Sequence, residues 1–144
     1  MKTLLACSML ALASLAGAQD APFPATTLRV GPHRVNAEIA DTDARRARGL
    51  MGREALPADA GMVFVFGAPA TQCLWMKDTP LPLSVAFIGA DGRIVNIAEM
   101  RPHTLDSHCS TKGVPVLYAL EMNEGWFRRR HVAVGMQVGN LPAR

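Results

Sequence analysis

Residues 83–98 read LSVAFIGADGRIVNIA, two apolar runs separated by a short turn sequence. The runs Leu83–Ile88 and Arg93–Ala98 are rich in the β-branched and aromatic residues typical of strands. The turn between them, Gly89-Ala90-Asp91-Gly92, has the glycine and aspartate residues favoured in hairpins. This stretch therefore predicts an antiparallel β-hairpin, from which the rest of the chain can be interpreted.

Other short segments have the same character. Alternating or continuous apolar residues bounded by turn residues predict strands at 28–30, 35–39, 62–66, 73–76, 116–122 and 132–138. Gly67 and Pro69 are expected to end the third of these. Together with two short helices, about eight strands predict a mainly β domain, a small compact β-barrel or sandwich rather than a βαβ fold.

Two helix starts are marked by capping residues. Asp41-Thr42-Asp43 supply capping residues for a first helix, which Gly49 and Gly52 keep short, and Asn123 is expected to cap a second helix through Arg130. At helical spacing, one face of the first helix carries Ala44, Ala47, Leu50 and Met51. The other face carries Arg45, Arg46 and Arg48, which we interpret as solvent-facing.

The amino terminus has the pattern of an export signal. A basic start and an apolar run lead to the small residues Ala16-Gly17-Ala18, and the run is shorter than the ~20 residues that span a bilayer. Cys7 lies inside this run rather than after it, which disfavours a lipid anchor. We expect cleavage after Ala18, a periplasmic or secreted product without a transmembrane segment, an extended lead-in over 19–27 and one β-rich domain over 28–144.

Only Cys73 and Cys109 remain as cysteines in the expected mature chain. In an exported protein such a pair predicts a disulfide. It would close a loop of about 37 residues, worth up to about 4 kcal/mol on the chain-entropy model. The long separation and the absence of Cys-x-x-Cys favour a static link over thiol redox chemistry.

The charge of the chain is nearly balanced. Its 15 basic and 12 acidic residues give a net charge of +3, too small to favour nucleic acid or an anionic membrane as a partner. At this length we expect a single-domain monomer.

An ordered set of motifs resembles a known family. Read along the chain, the motifs are Arg48-Gly-Leu-Met-Gly-Arg53, Leu56-Pro57, Gly61-Met62, Trp75-Met-Lys-Asp-Thr79, Pro82-Leu83, Phe87, Asp91-Gly92 and Leu120-Glu121. From Val35 to Val138 the chain is similar to the "domain of unknown function 192" family. The two cysteines and the segment from Met100 to Ser110 resemble its exported Gram-negative branch. The resemblance implies a small, mostly β domain and no assigned activity.

Three positions depart from the family pattern. Asn is usual at Asp78, an acid is frequent at Ser84, and Gly is common near His131. A ligand held by the missing carboxylate could not be held in the same way here. A glycine near His131 would cap a helix in the left-handed region, which histidine tolerates less well.

The densest polar and aromatic cluster is Trp75-Met76-Lys77-Asp78-Thr79. As a binding site, Trp75 would stack on a ligand, Lys77 would hold an anionic group, and Asp78 and Thr79 would donate or accept hydrogen bonds. The structural alternative buries Trp75 in the core, pairs Lys77 with Asp78, and uses Thr79 to fix the turn before Pro80.

Glu121 lies within an apolar strand, where an inward-facing charge needs a partner. A buried ion pair with Lys77 or Arg48 is the interpretation we favour, and a general acid or base is the alternative. Arg48 and Arg53 could bind an anion with two parallel hydrogen bonds, or tie the helix end to a neighbouring strand.

A copper site is a further alternative. His103, His108 and Cys109 share one loop, and Met76, Met100, Met122 and Met136 are soft donors. The methionines lie in apolar runs where core packing is the usual role, so no metal and no cofactor is expected.

These observations favour an exported binding or accessory module for a small anionic or envelope ligand rather than an enzyme. The candidate ligand-binding residues are Trp75, Lys77, Asp78, Thr79, Glu121 and Arg48. There are two alternatives. One is a hydrolase or transferase that acts on envelope material through Glu121 or Asp78, and the other is a copper-binding protein.

Overall fold

The computed structural model describes residues 22–143. The strands are β1 (Ala25–Val30), β2 (His33–Ala40), β3 (Ala60–Ala70), β4 (Cys73–Leu74), β5 (Leu83–Ile88), β6 (Ile94–Met100), β7 (His108–Cys109), β8 (Val116–Asn123) and β9 (Val138–Gly139). The helices are α1 (Asp43–Arg48) and α2 (Trp126–Arg129). Seven strands form one curled sheet in the order β6-β5-β8-β3-β2-β1-β9, and β4 pairs with β7. The predicted mainly β class, with two short helices, is confirmed.

The hairpin predicted from residues 83–98 is the β5–β6 pair. Its register runs from Leu83 opposite Met100 to Ile88 opposite Ile94. Gly92 adopts a φ of 81°, in the left-handed region where glycine is favoured. The second strand continues to Met100, two residues beyond its predicted end.

The sheet buries apolar side chains on both faces because residues alternate along each strand. On β3, Val63 and Val65 belong to one apolar cluster with the buried aromatic residues of α2. Their neighbours Phe64 and Phe66 belong to a second cluster on the opposite face. Segments following α1 and β4 cover this second face, and they position the candidate site.

Helix α1 lies on a parallel connection that the sequence did not predict. Strands β2 and β3 run parallel, with Asn36 opposite Ala60 and Ile39 opposite Val63. Thr42 caps the helix as expected and accepts a hydrogen bond from the backbone N–H of Arg45 at 3.2 Å. The fold therefore contains one crossover within an otherwise antiparallel sheet.

The faces of α1 differ from those predicted, although Leu50, just beyond the helix, is buried as expected. Ala44 and Ala47 are exposed, whereas the three arginines are partly buried. The guanidinium of Arg46 donates hydrogen bonds to the carbonyl oxygens of Asp41 at 2.8 Å and Val65 at 2.6 Å. Alanine offers little apolar area, so the backbone acceptors on β3 orient the helix.

Two other boundaries differ from the sequence prediction. Strand β3 continues through Gly67 and Pro69 to Ala70, where its pairing with β8 shifts register. Asn123 does not cap α2, because its amide donates to the carbonyl oxygens of Leu56 at 3.0 Å and Pro57 at 3.2 Å.

The end of the chain ties the two edges of the sheet together. The predicted strand over 132–138 is reduced to β9, preceded by an isolated bridge between Arg93 and Gln137. His131 has a φ of 55°, so it takes the left-handed conformation that glycine would favour at the end of α2.

Cys73 and Cys109 form the predicted disulfide between directly opposed residues of β4 and β7. The proposed signal sequence over 1–18 lies outside the described residues. Within residues 22–143, no helix has the length and apolar character needed to cross a membrane.

Candidate functional site

A cavity of about 260 Å³ lies on the second apolar face of the sheet. Its walls come from the end of α1, from β3, and from β4 and the residues that follow it. Its wall residues include Arg46, Arg48, Phe64, Phe66, Trp75, Thr79 and Glu121. Four of the six candidate ligand-binding residues therefore meet in one cavity, whereas Lys77 and Asp78 are not among its lining residues.

Glu121 is the buried acid of this cavity. It lies on the inner strand β8 between Met62 of β3 and Val85 of β5, and it is 4 % exposed. Within residues 22–143 its carboxyl group has no hydrogen bond or ion pair. Burial raises the pKa of Glu121 from 4.5 to about 8, because the charged form loses its hydration and gains no partner.

The predicted ion pair of Glu121 is therefore wrong for both of the expected partners. Lys77 lies in the exposed segment after β4, with its ammonium 5.7 Å from the ring centre of Trp75. Arg48 places its guanidinium 4.1 Å from the ring centre of Phe23. Instead of a neutralised ion, the cavity contains a carboxylic acid that is protonated at neutral pH.

Trp75 stands at the rim of the cavity with 52 % of its surface exposed. The alternative that buried this ring in the core is wrong. Lys77 does not form an ion pair with Asp78 in the described part of the chain. The opening of the cavity is therefore flanked by the exposed ring of Trp75, with the ammonium group of Lys77 over that ring.

The turn after Trp75 is held by backbone hydrogen bonds. Asp78 has a φ of 51°, a left-handed conformation that Asn and Asp adopt more readily than most residues. Its carbonyl oxygen accepts from the N–H of Gly52 at 2.8 Å. The hydroxyl of Thr79 donates to the carbonyl oxygen of Lys77 at 3.1 Å. Thr79 therefore does fix the turn, as the structural alternative held, while also lining the cavity.

The arginines near the cavity have different neighbours. Arg46 donates to Asp43 at 2.5 Å in addition to its two backbone acceptors. Arg53 binds Glu38 of β2 through two parallel hydrogen bonds of 2.8 and 2.6 Å. The second arrangement is the predicted tie between the helix end and a strand.

Ser84 departs from the family pattern, but it does not face this cavity. Alternation along β5 places Val85 beside Glu121 and turns Ser84 to the other face. The carboxylate of Glu99, directly opposite on β6, is hydrogen-bonded to the Ser84 hydroxyl. The N–H of Gly125 donates to the same hydroxyl at 2.7 Å. An acid from the neighbouring strand therefore occupies this location.

Most of the donors considered for copper have structural roles. Met76, Met100 and Met122 are buried in the two apolar clusters, and Cys109 is in the disulfide. Among the described residues, no group of three or more His, Cys, Asp or Glu side chains is arranged to hold a metal ion. His108 has a buried Nε2 without a hydrogen-bond partner.

Several wall residues were not predicted from the sequence. Phe64 and Phe66 were assigned only to a buried strand, and Arg46 only to a solvent-facing helix surface. Alternation along β3 places both rings on one face, a signal that was present in the sequence. No local signal connected that face with residue 121.

The fold and cavity define a small β half-barrel protein, with a curled seven-stranded sheet, a two-stranded sheet and a buried acid in a surface pocket. Residues 26–139 match the family DUF192, described as "Uncharacterized ACR, COG1430". The chain belongs to this family. A comparison with curated proteins finds no match.

Two solved structures have the same architecture. A protein from Sinorhizobium meliloti 1021, described as a proposed transcription regulator, is 32 % identical with a TM-score of 0.78. The match covers 83 % of this chain and 95 % of that one. A protein of unknown function from Novosphingobium aromaticivorans DSM 12444 is 30 % identical with a TM-score of 0.74, over 89 % of this chain and 90 % of that one.

Proposed function

We propose that the protein is an exported binding module that holds a small anionic molecule in the cavity beside Trp75. The observation that carries this proposal is the combination of an exposed aromatic ring and a concave, partly polar cavity. Small-molecule sites are usually concave, apolar and supplied with a few convergent polar groups. Here the apolar walls are Phe64 and Phe66, and the polar groups are Thr79 and Glu121.

The charges around the cavity favour an anion. Arg46 and Arg48 line it, and Lys77 stands over the ring of Trp75. Apart from Glu121, whose raised pKa keeps it neutral at pH 7, no lining residue is acidic. The cavity has a volume of about 260 Å³. Pockets for drug-sized ligands usually have volumes of ~300 Å³ or more, so this cavity is slightly smaller. A molecule with one aromatic ring and one carboxylate matches these features.

The proposed compartment is the periplasm or the cell exterior. The export pattern of residues 1–18 supports it, and the disulfide is consistent with an oxidising environment. We place the protein in the exported branch of the family on the same grounds, and we propose that it acts as a monomer without nucleic acid.

Calorimetric titration with benzoate at pH 7 tests the binding function. We expect saturable binding by the wild-type protein and at least a tenfold loss with Trp75→Ala, because one stacking surface is removed. Leu105→Ala is the matched control, since Leu105 is exposed to 66 % and is not among the cavity-lining residues. Equal affinities of the two variants, or no binding of benzoate and phenyl phosphate by the wild type, would refute the proposal.

A second candidate is a hydrolase or transferase that uses Glu121 as a general acid. The observation that favours it is the pKa of about 8, which leaves a proton available at neutral pH. Incubation of the protein with purified peptidoglycan, followed by mass spectrometry of released fragments, tests this role. We expect release by the wild type and none by Glu121→Gln; fragments from both proteins, or from neither, would contradict it.

A further inference from the structure

The buried acid of the cavity suggests how the ligand is held. We propose that Glu121, in its protonated form, donates a hydrogen bond to the carboxylate of the bound anion, and that alkaline pH therefore weakens binding. This inference rests on the proposed binding function. It adds a chemical role for one residue and a direction of pH dependence, neither of which follows from binding alone.

The first step is the location of the acid. Glu121 lies in the middle of an apolar sheet face, flanked by Met62 and Val85 and sharing the cavity with Phe64 and Phe66. A carboxylate in this position would need a cation or hydrogen-bond donors. Within residues 22–143 it has neither, so the neutral acid is the form that fits these surroundings.

The second step is the supply of donors inside the cavity. The hydroxyl of Thr79 already donates its proton to the carbonyl oxygen of Lys77. Arg46 already donates to Asp43 and to the carbonyl oxygens of Asp41 and Val65. No hydrogen bond among the described residues involves the carboxyl group of Glu121, so the O–H of its protonated form is not already committed. It is therefore a donor available to an anion that enters the cavity.

The third step is the sign of the ligand charge. An amine would require the ionised form of Glu121, and it would approach a rim that carries Arg46 and Arg48. An anion requires the neutral form and is attracted by the same rim. A protonated carboxyl facing a carboxylate also makes a short, charge-assisted O–H···O⁻ hydrogen bond. These points favour the anion.

Few other titratable groups line the same cavity as Glu121. From α1 the cavity receives Arg46 and Arg48, which stay charged over the pH range considered. Strand β4 contributes Cys73, which is held in the disulfide and does not titrate. The neighbours on β3 and β5 are apolar. Lys77 and Asp78 are exposed and do not line the cavity. Glu121 is therefore the group whose ionisation changes the cavity between pH 6 and 9.

The test is a titration of the full protein with benzoate at pH 6, 7, 8, 9 and 10, where benzoate is ionised throughout. For the wild type we expect a nearly constant dissociation constant up to about pH 7. Above the pKa of Glu121 it should rise about tenfold per pH unit. Glu121→Gln keeps a neutral donor, so its affinity should remain nearly independent of pH. Glu124→Gln, a control at an exposed acid on the same chain, should behave like the wild type.

A second measurement detects the proton itself. Calorimetry at pH 9 in two buffers of different ionisation enthalpy should show uptake of nearly one proton per benzoate by the wild type and none by Glu121→Gln. This readout separates the proposed hydrogen bond from a general loss of positive charge. Near-ultraviolet circular dichroism of each variant verifies that it is folded.

The outcomes separate the two proposals. Binding that depends on Trp75 but has the same pH profile in the wild type and Glu121→Gln would overturn the role of Glu121 and leave the binding function standing. Benzylamine binding that strengthens at alkaline pH and is lost in Glu121→Gln would reverse the inferred sign of the ligand charge. No binding of benzoate or phenyl phosphate would overturn the binding function and this inference together.

Discussion

Replacing Glu121 by glutamine should abolish a large pH dependence of folding stability. The carboxyl group is buried and has no hydrogen bond or ion pair within the described part of the chain, and its pKa rises from 4.5 to about 8 on folding. Glutamine has nearly the same shape and never ionises. The difference in unfolding free energy between the two proteins therefore isolates the titration of this one side chain.

The sign and size follow from proton linkage. Below pH 4.5 the acid is protonated in both states and contributes no difference. Between pH 4.5 and about 8 the unfolded chain releases the proton while the folded protein retains it, so stability falls as pH rises. At about 1.4 kcal/mol per pH unit the loss is about 3 kcal/mol at pH 7 and about 5 kcal/mol above pH 8. Domains of this size have only 5–15 kcal/mol in total.

Urea denaturation at pH 4.5, 7 and 9, with the disulfide intact, measures the effect. Relative to the wild type, Glu121→Gln should gain about 3 kcal/mol between pH 4.5 and 7 and about 1 kcal/mol more by pH 9. Glu124→Gln, at an exposed position, is the control and should follow the wild type within about 0.5 kcal/mol.

A stability difference that stays constant from pH 4.5 to 9 would refute this reasoning. It would mean that Glu121 has a similar pKa in both states, through water or a cation that reaches the carboxyl group. A difference that shrinks with rising pH would have the wrong sign, and would indicate that the ionised form is stabilised by folding.

Three further changes test the fold. Replacing Cys73 and Cys109 together by serine should cost up to about 4 kcal/mol of unfolding free energy, because the 36-residue separation is no longer constrained in the unfolded chain. Gly61→Ala should cost roughly 1–3 kcal/mol in urea denaturation, because a Cβ at this position meets the backbone oxygen of Glu121 and the sulfur of Met122. Thr42→Ala should cost about 1 kcal/mol by removing the α1 cap.

Each of these predictions has an outcome that contradicts it. If two thiols can be alkylated in the unreduced wild-type protein, the disulfide is absent, and the stability loss predicted for the double serine variant has no basis. Gly67→Ala is the matched control for the second, since its added Cβ meets no atom within 4 Å; equal losses at both glycines would contradict the steric argument. Thr42→Ser, which keeps the capping oxygen, should retain most of the stability, and a loss equal to that of alanine would exclude a capping role.

The elements that the sequence predicted well are those whose information is local. The β5–β6 hairpin has its turn residues and its two apolar runs within 18 residues, from Leu83 to Met100. The hydroxyl oxygen of Thr42 accepts its capping hydrogen bond from the backbone N–H of Arg45, only three residues away. Such signals connect residues that are near one another in the sequence. They can therefore be detected without knowing tertiary contacts or the order of strands in the sheet.

The elements that were wrong depend on distant partners. The arginine face of α1 turns inward because Arg46 finds the carbonyl oxygen of Val65, 19 positions away. Asn123 leaves α2 uncapped because its amide binds backbone oxygens of residues 56 and 57. The predicted ion pair of Glu121 was wrong for the same reason. The order of strands in the sheet decides which side chains surround this residue, and that order is not apparent from the local sequence.

The sequence by itself determined most of the strand segments, the disulfide pairing and the family, because periodicity, cysteine number and motif order are properties of the chain. Tertiary structure alone decided that β2 and β3 pair in parallel and that Glu121 shares a cavity with Trp75. It also decided that no side chain among residues 22–143 forms an ion pair with the acid. A side chain's protonation state is set by what surrounds it in space, and strands distant in sequence supply those surroundings.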